Sequence, residues 1–187
     1  SSVTIENSFV SEYSERISVN RFDVESPSTQ IVRNSFSPLF GINVTFKEAF
    51  GGNLSANLRY NITKENRLEP STNLIRTTNN SDWSLNVNFS KAGFEIPLFG
   101  LSLKNDITFA LTISRNVTNP IDYRFITGGS IPEKLEGNGS SITTINPSIQ
   151  YSLSQRVQMQ LFFKNVKTEP TSGNASTVPN TSNEGGL

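Results

Sequence analysis

Isolated carboxylates are the residues of this chain that could carry chemistry, and their spacing does not form a site. Asp82, Asp106 and Asp122 would suit calcium binding or acid–base catalysis, but no loop around them has the ligand spacing of a calcium site. The chain has no histidine and no cysteine, so it lacks the commonest general base and all thiolate ligands. Gly128-Gly129 and Gly185-Gly186 lack the strand-to-helix context of a phosphate-binding loop. We therefore expect no enzymatic activity, no catalytic residue, no metal site and no cofactor.

Composition favours β-strands and argues against nucleic acid as a partner. The 187 residues carry 16 basic and 16 acidic side chains, so no basic surface is indicated. Hydrophobic residues make up 34%, which is low for a packed globular core. The polar residues are mainly Asn, Ser and Thr, and strong helix formers are under-used. The longest apolar run, 96–101, is far shorter than the roughly 20 residues of a membrane-spanning helix.

Apolar and polar residues alternate with a period of two, which is typical of strands with unlike faces. In the segment 53–63, the even positions from Leu54 to Ile62 are apolar and the odd positions from Asn53 to Thr63 are polar. The same alternation recurs in the segments 40–47, 83–90, 101–117, 145–153 and 157–164. The alternation therefore predicts a series of long strands, each with one apolar side.

The alternation divides the chain into three parts. Residues 1–38 are predicted to be an irregular lead-in with short strands, because Pro27 and Pro38 do not suit a central strand. Residues 39–168 are predicted to form about six long antiparallel strands. Residues 169–187 are predicted to be a polar loop that leads to a missing terminal strand.

Turns and loops alternate between short and long. Short turns are predicted at 48–52, 91–97 and 154–156, and longer polar excursions at 64–80 and 116–142. Outer-membrane barrels have short periplasmic turns and longer extracellular loops, so the alternation favours that architecture.

The predicted fold class is all-β, an antiparallel transmembrane β-barrel segment that is part of a very large barrel. Several strands exceed the five or six residues usual in soluble sheets and reach the 9 to 11 of a transmembrane strand. About six strands cannot close by themselves, since roughly eight are needed for a small barrel. A secreted adhesin-like β-sandwich and an ordinary outer-membrane porin remain alternatives, since alternation alone does not exclude them.

The two strand faces supply the candidate site residues. One face would line a pore, where uncharged polar groups and sparse charges are tolerated. The candidate pore-lining residues are Asn57, Arg59, Asn86, Lys104, Asp106, Thr112, Gln150 and Gln160. The candidate lipid-facing residues are Leu58, Tyr60, Val87, Phe109, Leu111 and Leu161. Trp83, Tyr60, Tyr123 and Tyr151 would form interfacial aromatic girdles or serve in ordinary sheet packing.

Five segments, taken in order, resemble the C-terminal part of the SprA/Sov family. The family forms the outer-membrane translocon of the type IX secretion system. The resemblance covers most of residues 31–187, and the last hairpin with its tail is its most specific part. The segments are Asn34–Ile42, Gly93–Pro97, Leu103–Ile107, Ile145–Val157 and Pro179–Gly186.

The resemblance implies a single-chain barrel of very many strands, with a wide pore through which folded cargo proteins cross. It implies protein secretion and, in some bacteria, gliding motility, at the outer membrane of a Gram-negative bacterium. The implied partners are outer-membrane lipid, the remaining strands of the same barrel, a shuttle barrel protein, a periplasmic plug and secreted cargo. Family members carry a further strand after the tail, and this chain stops at Leu187.

Overall fold

The fold is known from a computed structural model. The structure describes residues 1–19, 25–98, 101–126, 131–153, 157–171 and 178–186. Side chains at the strand ends 25–27, 96–98 and 101–104, and that of Val19, lie outside this description.

The described residues form ten strands in one antiparallel sheet. A short 3-10 turn, Pro70–Thr72, joins two of the longest strands, and Asn73 follows it in the left-handed conformation at φ 51°. The strands are β1 (Ser2–Glu6), β2 (Phe9–Val19), β3 (Glu25–Ala49), β4 (Gly52–Glu69), β5 (Leu74–Leu98), β6 (Leu101–Arg124), β7 (Glu133–Glu136), β8 (Ser140–Ser152), β9 (Gln158–Pro170) and β10 (Asn180–Gly186).

The strands lie side by side in the order in which they occur along the chain. β1 and β2 pair consecutively with the same edge of β3, and β7 and β8 pair consecutively with β6. Each of these two pairs therefore occupies a single position in the sheet. The resulting order is β1/β2, β3, β4, β5, β6, β7/β8, β9 and β10, an open meander in which every neighbour is the next segment of the chain.

Prolines and glycines interrupt the ladders instead of ending the strands. Pro38 lies in the gap between Phe36 and Phe40, where the β3–β4 register shifts, and Pro27 is next to Ser28, the extra residue of β3 at the register shift with β2. Proline cannot donate to a ladder, so it is tolerated at such gaps. Gly93 takes a φ of 65° where the β5–β6 register shifts between Lys91 and Phe94, as glycine does in a β-bulge.

Several secondary-structure predictions are wrong. The predicted turn at 91–97 is strand, because the bulge at Gly93 absorbs the irregularity and β5 continues to Leu98. The predicted loop at 116–142 contains the end of β6 and all of β7. Most of the described residues of the lead-in, 1–19 and 25–38, belong to the sheet, because β1 and β2 pair with β3, which already begins at Glu25.

The polar tail also differs from the prediction. The segment 169–187 contains β10, which pairs with β9 from Asn180↔Thr168 to Gly186↔Phe162. Its sequence has no apolar residue to show alternation, so backbone pairing with β9 defines this strand. The predicted turn at 48–52 is confirmed. The longer excursion predicted at 64–80 is wrong, because β4 continues to Glu69, β5 begins at Leu74, and the tight turn at Pro70–Thr72 is all that connects them. The turn at 154–156 and the Gly128-Gly129 pair lie outside the described residues.

The sheet is a single layer with no packed core among the described residues. Tyr151, at 1% exposure, is the one large hydrophobic side chain that is buried in the part of the chain that the structure describes. Large apolar side chains such as Ile5 (76% exposed), Leu161 and Phe163 remain exposed on one face of the sheet. No second layer in the described part of the chain covers this face.

Gly139, between β7 and β8, is predicted to be needed where the chain lies close against the backbone of β6. A Cβ at this position would lie 2.7 Å from the Thr118 carbonyl oxygen, and a backbone atom cannot move aside easily. We expect Gly139→Ala to cost about 1–3 kcal/mol through this overlap. Hydrogen–deuterium exchange of residues 133–145 in the full-length protein should accelerate roughly tenfold. Gly185→Ala, whose nearest contact would be 3.3 Å, is the matched control, and equal effects of both changes would contradict the account.

Candidate membrane-facing and lumen-facing surfaces

The register brings the candidate pore-lining residues to one side of the sheet, here called the polar face. Asn57 lies opposite Asn86, and Asn86 lies opposite Thr112, so these three form one row across β4, β5 and β6. Gln150 lies opposite Gln160 on β8 and β9. Arg59, opposite Ser84, and Asp106 share this face because they lie an even number of residues from Asn57 and Thr112. The side chain of Lys104 lies outside the described residues.

The candidate lipid-facing residues share the opposite side, here called the apolar face. Val87 lies opposite Leu111, and Leu161 lies opposite Ile149, which in turn faces Phe109. The face consists of rows that continue from strand to strand. One row is Ile5, Ile42, Leu58, Leu85, Ile113 and Ile145, and the next is Val3, Val44, Ala56, Val87, Leu111, Pro147 and Phe163.

Hydrogen bonds between side chains, most of them neutral, tie the polar face together. Asn57 donates its amide to Asn43, and Thr112 donates its hydroxyl to the Asn86 amide oxygen at 3.0 Å. Asn61 donates to the Asp82 carboxylate at 2.5 Å. Amides and hydroxyls can donate and accept at once, so such a surface satisfies itself and also binds water. The Asn43 contribution was not among the predicted site residues, although its position in an alternating strand could have revealed it.

A cross-strand ion pair completes the polar face at the β1 edge. Arg59 Nη2 lies 2.7 Å from Glu6 Oε2, and the Asn43 amide donates to the other Glu6 oxygen at 2.8 Å. Gly41 separates the two charged residues in the same row and has no side chain to block their approach. Sequence reasoning missed Glu6, because it belongs to the segment predicted to be irregular.

Aromatic residues mark one boundary of the apolar face. Phe40, Tyr60 and Trp83 form a single row, and the Phe40 and Tyr60 ring centroids are 5.6 Å apart. Arg115 continues this row on β6. Ile107 and Tyr151 lie in the row at the other boundary. Tyr123 lies beyond the aromatic row, opposite Ile75, so it belongs to neither boundary.

The distance between the two boundary rows suits a membrane strand. From Ile107 to Arg115 the backbone rises about 27 Å at about 3.4 Å per residue. This segment has the 9 to 11 residues of a transmembrane strand. Beyond the row of Arg115, the side of β4, β5 and β6 that continues the apolar face also carries polar residues, among them Lys64, Asn79 and Asn119. They are mixed with apolar residues such as Ile62, Ile75 and Ile121. Polar residues on both sides are typical of strands that extend past the membrane into water.

The strand extensions beyond the aromatic row carry a bidentate ion pair. Arg76 on β5 donates through Nε and Nη2 to the two Asp122 oxygens on β6, at 2.7 and 2.8 Å. These hydrogen bonds lower the pKa of Asp122, against a partial burial that raises it. The same bonds raise the pKa of Arg76. Asp106, another of the three carboxylates considered for chemistry, accepts the Gly93 backbone N–H at 3.3 Å.

The described residues bring together no group of three acidic side chains that could hold a metal ion. Within the same ranges, no helix has the length and apolar character needed to cross a membrane. Comparison with protein-family models, with curated proteins and with solved structures finds no match to this chain.

We expect the Arg76–Asp122 pair to make the stability of the β5–β6 pairing sensitive to acid. Because the folded-state pKa of Asp122 is lowered, its contribution is present above the unfolded pKa of about 4 and is lost as the pH falls through the folded value. Asp122→Asn should therefore accelerate amide exchange in 74–79 and 119–124 at pH 7. The ratio of variant to wild-type rates should begin to fall below about pH 4 and approach one only when the pH lies below the folded-state pKa of Asp122. A ratio that is independent of pH, or equal changes in β8 and β9, would contradict this assignment.

Proposed function

We propose that this chain forms part of the wall of a large outer-membrane β-barrel. The observation that carries the proposal is a single-layer meander whose polar and apolar faces continue without inversion from β3 to β8. Between Trp83 and Phe89 the apolar face rises about 20 Å, and its rows cross six strand spacings from β1 to β9, roughly 29 Å at about 4.8 Å each. Soluble monomers rarely expose an apolar patch of this size, roughly 600 Å² in projection.

Lipid explains both the exposed apolar face and the pairing of each strand with its neighbours. The hydrocarbon core offers no hydrogen bonds, so a strand crosses it only when its backbone groups are paired with neighbouring strands. Here β3, β4, β5, β6, β8 and β9 have such neighbours on both sides. The outer edges of β1/β2 and β10 would pair with the remaining strands of the same barrel, since closure removes exposed edges.

The strand extensions give the barrel an orientation. The ends beyond the aromatic row carry the polar tips of the β4–β5 hairpin and of β6–β7, whereas the opposite end has the tight turn between Ala49 and Gly52. Outer-membrane barrels place their longer connections outside the cell. The aromatic row with Trp83 is therefore assigned to the outer leaflet, at the outer membrane of a Gram-negative bacterium.

The polar face is suited to passive conduction. Its amides and hydroxyls bind water, and the Arg59–Glu6 pair neutralises two of its charges. Together with the resemblance to the SprA/Sov family, this surface supports a role as part of a type IX secretion translocon that lets folded cargo cross, without enzymatic chemistry. A shuttle barrel and a periplasmic plug are the partners that this role requires.

The alternatives differ in ways that can be measured. A secreted β-sandwich would need a second layer over Leu58, Val87 and Leu111, and the described residues supply none. It would also be recovered as a monomer without detergent. An ordinary porin would share the faces described here, but it would belong to a protein with far fewer strands and would not export protein.

Obstruction of the polar face should block export of cargo. The chain has no native cysteine, so Asn86→Cys introduces a unique thiol in this segment. We expect a bulky polyethylene-glycol maleimide to label it from water and to lower cargo secretion by intact cells severalfold. Val87→Cys, one residue along, is the matched control and should resist labelling because its thiol faces lipid. Labelling of Asn86→Cys with unchanged secretion would rule out the conducting role, and equal labelling of both sites would rule out the assignment of the faces.

A further inference from the structure

One face of β9 changes from charged to apolar along a single line. On the apolar face the residues run in the order Glu169, Lys167, Asn165, Phe163, Leu161 and Met159. Asn165 donates its amide to Asn183 of β10 at 2.6 Å, so an amide pair lies between the cation and the apolar residues. A polar lipid shows the same order, with a charged head, ester or amide linkages and then acyl chains.

Two cations lie at the level of the aromatic row, where a lipid head group would be. Arg115, Thr143 and Lys167 occupy one row on neighbouring strands. Arg115 and Lys167 are separated by two strand spacings, about 10 Å, which their long side chains can bridge over Thr143. Arg115 Nε donates to the Ser141 hydroxyl at 2.9 Å, which orients the guanidinium. Among the described residues, Arg115 forms no ion pair with a carboxylate.

A groove lies below these cations on the same face. It has a volume of about 550 Å³ and is lined by Phe109, Pro147, Ile149, Leu161, Phe163 and Gly185, among others. Gly185 leaves the β10 side of the groove without a side chain. From Thr143 to Pro147 the strand rises about 14 Å, which places the groove at the depth of the acyl chains of one leaflet.

We propose that the apolar face of β8, β9 and β10 binds a phosphate-bearing glycolipid of the outer leaflet. Arg115 and Lys167 hold the phosphate, the Asn165–Asn183 amides face the acyl linkages, and the groove holds an acyl chain. The inference rests on the proposed membrane location. Glu169 Oε1 lies 2.7 Å from Lys167 Nζ, but both side chains are about half exposed, and the ammonium keeps donors for a second anion.

The test uses the full-length protein extracted from outer membranes in mild detergent. Binding is measured in micelles doped with lipid A, and in micelles doped with diacylglycerol, which lacks phosphate. We expect the wild type to bind lipid A and the double variant Arg115→Gln/Lys167→Gln to bind it about tenfold more weakly. Gly185→Val, which narrows the groove, should also weaken binding of lipid A, because it leaves less room for the acyl chain while both cations remain. Arg33→Gln/Lys164→Gln removes two positive charges from the polar face and is the matched control.

Each outcome decides between the possibilities. Equal lipid A binding by the wild type and the Arg115/Lys167 double variant would overturn the site. Binding of diacylglycerol by the wild type as tightly as lipid A would overturn it too, because diacylglycerol has no phosphate. Displacement of lipid A by inorganic phosphate at an equal concentration would also overturn it, since the groove would then add nothing to the binding of the phosphate. Membrane fractionation separates this failure from that of the proposed function: a wild-type protein absent from the outer membrane would refute both.

Discussion

Cross-strand register is the constraint on which this structure depends. A strand alternates its side chains between two faces, so a slip of one residue would exchange the faces of that strand completely. The pairs Asn57↔Asn86 and Leu58↔Leu85 must therefore both hold for β4 and β5 to present the same surfaces. The same pairing repeats from β3 to β8, which makes two chemically unlike surfaces from strands that individually have no core. Where the ladder shifts, as at Gly93, the irregularity lies outside the segment between the boundary rows.

Stability in such a sheet comes from backbone pairing and from whatever covers the apolar face, because one layer cannot bury its own side chains. The contrast between faces also sets the local electrostatics. Charges are sparse in the rows between the two boundaries, and Arg59 is neutralised by Glu6 across the gap at Gly41. The bidentate Arg76–Asp122 pair lies beyond the aromatic row, where water can solvate it on both sides.

Period-two alternation made the central strands and their two faces predictable. The segments Leu54 to Ile62 and Ile145 to Leu153 follow it closely. As expected for antiparallel hairpins, the structure pairs β4 with β5 and β8 with β9. Prediction failed where the determining interaction is made by the backbone or by a distant segment. β10 has no apolar residue, Gly93 supports a bulge instead of a turn, and Glu6 acquires its role only when β1 pairs with β3. Single-sequence patterns carry no information on such pairings.

Accessibility of spin labels tests the central claim most directly. Nitroxides would be placed at Leu58, Val87, Leu111 and Leu161, and at their neighbours Asn57, Asn86, Thr112 and Gln160, in the full-length protein in its membrane. We predict that the first set is relaxed mainly by oxygen, which dissolves in lipid, and the second mainly by a water-soluble nickel complex, so that the preference reverses at every step of one residue. Protection of the first set from both reagents, as in a compact core that excludes lipid and water, would contradict the account.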